Sequence, residues 1–183
     1  MSYYVPLAMS LIHAFIEIEK GSNLVFELNK QTRRLELERI LPRPHVYPYS
    51  YGFIPNTLAE DGNELDVLII SDRVIPQNHT AMAYIIGALE IKHDKGFNHK
   101  ILAVCDNDYF YENIRDITVL SSDILESIQT FFANYHPDDP DKWSRVYGFV
   151  GAVAALQIYN QGLAYIVRRI PEYDEDEFLL NSA

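Results

Sequence analysis

The residues best suited to chemistry lie in the segment "EDGNELD", which runs from Glu60 to Asp66 and contains four carboxylates in seven positions. The hydrophobic run "VLII" follows at once, so Asp66 should stand at the edge of the core rather than in bulk water. Crowded carboxylates repel one another unless a cation lies between them. A solvated turn is the plain alternative. Asp61 and Asp66 converging across the Gly62 turn predict instead a site for a hard cation, Mg²⁺ or Mn²⁺.

Three tyrosines precede this segment in "YPYSY", at positions 47, 49 and 51. They alternate in direction along an extended chain, and Pro48 separates the first two. Tyrosine hydroxyls facing a bound cation can donate hydrogen bonds to phosphate oxygens. The combination therefore indicates a site for a phosphate compound.

The composition predicts one domain over residues 1–183, ending in an acidic tail at about residues 172–183. The formal net charge of −11 argues against nucleic-acid partners and anionic membranes, which require a basic surface. No apolar run approaches the roughly 20 residues of a membrane span. The single cysteine, Cys105, is typical of a core thiol in a reducing compartment, so we expect a cytoplasmic protein.

The first two thirds of the chain predict β-strands. Apolar and polar residues alternate in "HAFIEIEK", "NLVFELNK" and "RRLELERIL". Three further segments, "LDVLIISD", "AYIIGALEIK" and "KILAVCD", are more uniformly apolar and predict interior strands. Short strands joined by Gly, Pro and Asn turns favour a small closed barrel.

The last third predicts two helices. One begins near Ser122, carries apolar residues at helical spacing and ends before Pro137. The second spans about residues 150–169 and ends before Pro171. Its small residues predict close packing against a second subunit. The expected fold is therefore α+β and mainly β, with helices outside the barrel.

The stretch "YPYSYGFIPNTLAEDGNELDVL" resembles the signature region of the soluble (family I) inorganic pyrophosphatases, which read roughly Y-P-x-N-Y-G-x-I-x-x-T and then D-G-D-x-x-D-V-L. The similarity extends from about Glu17 to the second helix. It implies a five-stranded OB-like barrel with flanking helices and bound Mg²⁺. It also implies hydrolysis of pyrophosphate to two phosphates by attack of a metal-activated water, and a homo-oligomer, with a hexamer favoured for this chain length.

Residue by residue, the resemblance implies roles for positions that match the family pattern. The implied metal ligands are Asp61, Asp66, Glu27 and Glu17. The implied phosphate-contacting and orienting residues are Arg39, Tyr47, Tyr51, Lys100 and Tyr135.

Five positions depart from the family pattern. Asn63 stands where an aspartate normally polarises or deprotonates the attacking water, and His93 and Asn98 stand at two metal-binding aspartates. Val25 and His136 replace two phosphate-binding lysines. An asparagine oxygen can bind Mg²⁺ but cannot accept a proton from water. His93 could favour Mn²⁺, Zn²⁺ or Co²⁺, and it is also compatible with a plain surface residue.

Three hypotheses remain open from the sequence. The chain could be a slower pyrophosphatase or one with altered metal preference. It could be a catalytically inactive relative that is retained for binding or assembly. It could also hydrolyse another phosphoanhydride or a phosphoester.

Overall fold

The computed structural model describes residues 11–93, 96–135 and 144–169. His136 and the predicted acidic tail lie outside the described residues. The described chain contains strands and helices in the following order: β1 Leu11–Ile18, β2 Leu24–Asn29, β3 Arg34–Ile40, β4 Ser50–Ile54, β5 Leu65–Ile70, β6 Thr80–His93, β7 Gly96–Cys105, α1 Ser122–Ala133, β8 Ser144–Gly151 and α2 Ala152–Arg169. The predicted mainly-β fold with two helices is confirmed.

The largest sheet has the strand order β1-β4-β5-β7-β6-β8. β1 also pairs with β6, so the strand pairings run from β1 through β4, β5, β7 and β6 back to β1. β5 and β7 are parallel, and the other pairs in this sheet are antiparallel. β2 and β3 form a separate two-stranded hairpin.

Each face of the central strands is buried against its own apolar cluster. On β5, Leu68 and Ile70 belong to a cluster that includes Phe131 and Phe132 of α1. Val67 and Ile69, which alternate with them, belong to a second cluster with Ala155 of α2. Burial on both faces explains why this strand is apolar at consecutive positions rather than at alternate ones.

The two predicted helices are present, with small differences at their starts. α1 begins at Ser122 with Ser121 in the N-cap position, one residue earlier than the predicted cap. α2 begins at Ala152, where the backbone N–H donates to Asp116 Oδ2 at 2.8 Å. Among the described residues, no helix is long and apolar enough to span a membrane.

The sequence analysis did not predict two of the strands, β4 and β8. β4 contains Tyr51 and Gly52, which interrupt its apolar pattern, and β8 contains Gly148. Because β8 includes Val150, the predicted start of the second helix was two residues early. The largest sheet has six strands, since β8 pairs with β6 in addition to the five strands whose pairings return to β1.

The small-residue face predicted to contact another subunit is partly used within the chain. Ala155 is fully buried against the sheet. A Cβ added at Gly162 would lie 2.7 Å from Leu65 Cδ1. These small residues bring α2 close to its own β5, so their presence is explained without a second subunit.

The close approach of β4 to β1 gives a testable prediction. A Cβ at Gly52 would lie 1.8 Å from the carbonyl oxygen of Phe15, so Gly52→Ala requires a backbone shift. We expect the free energy of unfolding to fall by about 3 kcal/mol or more, measured by urea denaturation. Gly21→Ala is the control, because its Cβ meets open space and only the left-handed backbone conformation is unfavourable, at about 1–2 kcal/mol. An equal loss in both variants would contradict the steric explanation.

Candidate active site

The site begins where the first apolar cluster gives way to polar side chains. Asp66 precedes Leu68 on the same face of β5 and pairs in the parallel ladder with Lys100 of β7. The Lys100 ammonium donates to Asp66 Oδ2 and, at 3.2 Å, to the Tyr51 hydroxyl. Three adjacent strands, β4, β5 and β7, therefore place a phenol, a carboxylate and an ammonium in direct contact.

The acidic loop, residues 58–65, is held in shape by its own hydrogen bonds. Asp61 Oδ1 accepts from the backbone N–H of Asn63 at 3.0 Å, and Ala59 N–H donates to the Asn63 carbonyl at 2.7 Å. Asp61 Oδ2 accepts from Asn98 Nδ2 of β7 at 3.1 Å. The loop and the start of β7 thus face each other.

Both ends of the acidic loop are anchored. The Leu65 N–H donates to Thr57 Oγ1 at 2.9 Å, and the Thr57 hydroxyl donates to the Ile54 carbonyl at 2.6 Å. The Leu58 N–H donates to the carbonyl of Gly162 in α2 at 3.0 Å. The missing side chain at Gly162 lets α2 contact the loop at this distance.

Three tyrosines, Tyr47, Tyr51 and Tyr135, also belong to the site. The hydroxyls of Tyr47 and Tyr135 are 2.7 Å apart, and the Arg39 guanidinium carbon lies 4.8 Å from the centre of the Tyr135 ring. Burial holds the pKa of Tyr47 and of Tyr51 well above the ordinary value. Both phenols therefore stay neutral and can donate hydrogen bonds to an anion.

These groups surround a pocket of about 260 Å³. Its polar lining comprises Glu17, Glu27, Lys30, Glu38, Tyr47, Tyr51, Asp61, Asn63, Glu64, Asp66, Asn98 and Tyr135. Six of these described residues are carboxylates, and one is a lysine. An anionic substrate would be repelled from this lining unless cations entered with it.

Glu17 is a buried carboxylate of the lining. It is 8% exposed and accepts from the Leu28 N–H at 2.8 Å. Burial is the main cause that raises the pKa of Glu17 to about 7, and the charges of Asp66, Glu27 and Glu64 add to it. A cation bound beside Glu17 would favour its charged form.

The lining fits Mg²⁺ better than a cation that requires a complete protein cage. Among the described residues, no group of three or more His, Cys, Asp and Glu side chains is arranged to hold a metal ion. Mg²⁺ in phosphate sites binds one or two carboxylates and completes its shell with waters and phosphate oxygens. The oxygen-rich lining supplies such ligands.

Most residues selected from the sequence come together here. Nine of them line the pocket: Glu17, Glu27, Tyr47, Tyr51, Asp61, Asn63, Asp66, Asn98 and Tyr135. Lys100 and Arg39 are absent from the lining but contact Asp66 and Tyr135, respectively. The backbone of His93 ends β6 opposite Gly96, and His136 lies outside the described residues.

Sequence reasoning missed three charged residues of the lining, Lys30, Glu38 and Glu64. Each resembles an ordinary surface residue in its local sequence. Glu64 belongs to the acidic segment, so the charge count from Glu60 to Asp66 was the signal that could have identified it.

Comparison with known proteins agrees with this geometry. The profile of the inorganic pyrophosphatase family matches residues 14–166. The inorganic pyrophosphatase of Helicobacter pylori is 34% identical over 150 residues, covering 81% of this chain and 87% of the relative. The inorganic pyrophosphatase of Nanoarchaeum equitans is 39% identical over 152 residues, covering 82% of this chain and 94% of the relative.

Solved structures give the same result. The inorganic pyrophosphatase of Helicobacter pylori superposes with a TM-score of 0.84 at 30% identity, covering 91% of this chain and 99% of that one. The Thermus thermophilus enzyme gives a TM-score of 0.84 at 31% identity, covering 89% and 97%. The chain belongs to the inorganic pyrophosphatase family.

Proposed function

We propose that the protein is a magnesium-dependent inorganic pyrophosphatase that works at a reduced rate. The observation that carries the proposal is a single pocket lined by both carboxylates and neutral tyrosines, with Lys100 and Arg39 in contact with lining residues. Carboxylates alone would favour binding of a cation. Tyrosines and cationic side chains alone would favour binding of an anion. Their combination suits a phosphate compound that binds together with its metal ions.

The proposed ligands of Mg²⁺ are Asp61, Asp66, Glu17 and Glu27, which all line the pocket. When bound, the metal would neutralise phosphate charge and lower the pKa of water. Arg39, Tyr51, Tyr135 and Lys100 would hold and orient the phosphates, and His136 would contribute if it lies near Tyr135. The neutral state of the Tyr51 phenol lets it donate to a phosphate oxygen without repelling it.

The reduced rate follows from Asn63. Its side chain lines the pocket beside Asp61, but an amide cannot accept a proton from the attacking water. Loss of one positioned general base typically costs about 10²–10⁴-fold in rate. Bound Mg²⁺ would lower the pKa of the attacking water, and this would compensate in part for the missing proton acceptor.

A non-catalytic role is the second candidate, and one contact favours it. Both oxygens of Asp61 already accept hydrogen bonds, from the Asn63 backbone and the Asn98 amide. Each oxygen keeps a second lone pair for a cation, but the two donors already stabilise part of the negative charge that would attract it. Weaker metal binding would follow. A preference for Mn²⁺, Zn²⁺ or Co²⁺ would depend instead on the imidazole of His93.

Two further proposals concern the architecture. The ring of pairings from β1 through β4, β5, β7 and β6 supports a five-stranded, OB-like closed barrel, with β8 and the β2–β3 hairpin outside it. The family resemblance supports a homo-oligomer, with a hexamer favoured.

Phosphate release tests the activity directly. We expect the wild-type protein to hydrolyse pyrophosphate with Mg²⁺ and not with EDTA. Asn63→Asp should raise kcat, by on the order of 10²-fold, because it restores a proton acceptor while keeping the backbone hydrogen bond to Asp61. Asn63→Ser serves as the control that changes the side chain without adding a carboxylate. No release from wild type or Asn63→Asp with Mg²⁺, Mn²⁺, Zn²⁺ or Co²⁺ would contradict the proposed activity.

Thermal unfolding tests the metal site without any turnover. Asn98→Asp replaces the hydrogen bond to Asp61 with two adjacent carboxylates. The metal-free protein should lose about 1 kcal/mol of stability, a few degrees in Tm. Mg²⁺ should raise the Tm of this variant more than that of the wild type, because the cation lies between the charges. Asn160→Asp, on the exposed surface of α2, adds the same charge elsewhere and should not change the response to Mg²⁺. Equal Mg²⁺ responses of all three proteins would argue against a cation at Asp61.

Light scattering at micromolar concentration tests the assembly. We expect a mass several times the 21.1 kDa of one chain, and six times that value for the hexamer. A monomer mass would contradict both statements.

A further inference from the structure

Lys30 is the cationic residue of the described pocket lining, and the proposed function gives it no role. It lies in the turn between β2 and β3, and its ammonium is 2.6 Å from Glu64 Oε2 of the acidic loop. Asn29 Oδ1 accepts from the N–H groups of Gln31 and Thr32 and fixes the turn. The backbone therefore holds Lys30 at the pocket, while its long side chain keeps its freedom.

The pocket needs a cation of this kind. Lys30 is the one lysine or arginine in the lining formed by the described residues, and the lining also contains six carboxylates. Val25, on the strand that leads to this turn, contributes only a buried apolar side chain. The Lys100 ammonium already forms an ion pair with Asp66. Lys30 is therefore the cationic side chain of the described lining that is available to a phosphate in the pocket.

The pair with Glu64 does not immobilise this ammonium. The side chain of Lys30 is 61% exposed and that of Glu64 25% exposed. Exposed ion pairs contribute little to stability, because water screens them and long side chains lose freedom in forming them. An ammonium can turn from one oxygen anion to another, and a phosphate carries more negative charge than a carboxylate. Exchange of Glu64 for a phosphate oxygen is therefore favourable.

We propose that Lys30 binds a phosphate group of the substrate, and that Glu64 holds Lys30 when no substrate is present. This inference rests on the proposed function, since it names a further residue for the same phosphoanhydride. It makes Glu64 a competitor of the substrate. Lys30 is then a specificity residue that takes over, in this chain, the anion binding that Val25 cannot perform.

A purely structural role predicts different behaviour. If the pair served only to join the β2–β3 turn to the acidic loop, removing either partner would disturb the pocket in the same direction. If Lys30 binds substrate, removing Lys30 weakens binding, whereas removing Glu64 strengthens it. Opposite signs therefore separate the two roles.

Calorimetry with imidodiphosphate, in which nitrogen replaces the bridging oxygen of pyrophosphate, measures this without turnover. At saturating Mg²⁺ we expect Lys30→Gln to raise Kd about tenfold, the effect of one charge-assisted hydrogen bond. Glu64→Gln should lower Kd about twofold to threefold, and Lys30→Arg should stay near wild type. Lys92→Gln, which removes a lysine from β6 outside the lining, should leave Kd unchanged.

The double variant isolates the exchange from a general effect of charge. In the Lys30→Gln background, Glu64→Gln should lose most of its benefit, because no ammonium remains to be released. Additive effects would overturn the proposal, as would an unchanged Kd in Lys30→Gln or shifts of the same sign in both single variants. Absence of binding to wild type would overturn the proposed function and this inference with it. Wild-type binding with an unaffected Lys30→Gln would overturn this inference alone.

Discussion

The parallel register of β5 and β7 is the constraint on which the site depends. It sets Asp66 opposite Lys100, and the antiparallel register of β4 with β5 brings Tyr51 beside them. A shift of either strand by one residue would turn these side chains to the opposite face and bury charge in the second apolar cluster. The same alternation that packs Leu68 and Leu102 in the core therefore also points the ammonium and the carboxylate at each other. Core packing and the ion pair between Asp66 and Lys100 therefore both require the same strand register.

The local pattern of apolar and polar residues was sufficient to predict the strands and helices that show a clear periodicity. The uniformly apolar segments became β5, β6 and β7, and the apolar residues at helical spacing became α1. Local pattern failed where tertiary contacts decide. Gly52 belongs to a strand because β1 approaches too closely for any side chain, which its own sequence does not reveal. The return pairing of β1 with β6 is likewise a long-range contact with no local signal.

The candidate site shows the same division. The signature stretch located the acidic loop and Tyr51, and the match of individual positions to the family pattern located Lys100 outside that stretch. The contact of Lys30 with Glu64 was not predicted, since these residues come from separate turns and meet only in the folded chain. The sequence does not show that two small residues of the second helix, Ala155 and Gly162, pack within the chain. The contact of this helix with a second subunit stays a prediction.

Asn63 and Asn98 are uncharged residues at positions where the family pattern has aspartates, and both contact the acidic loop residue Asp61. Asn63 and Asn98 both bond to Asp61, through a backbone N–H and a side-chain amide. An aspartate at 98 could not donate that bond, and its charge would repel that of Asp61 unless a cation lay between them. The Asn98 amide therefore joins the acidic loop to the start of β7 through a neutral donor.

The bond between Leu58 and Gly162 has a consequence for the order of folding. The acidic loop belongs to the first half of the chain, but one of its anchors is supplied by α2, the last described element. Contacts between residues far apart in sequence form late, because closing the long intervening loop costs entropy before the contact stabilises it. A chain emerging from the ribosome would complete its sheet before this helix is available. The loop thus acquires its final form only when the C-terminal helix docks, so the pocket matures last.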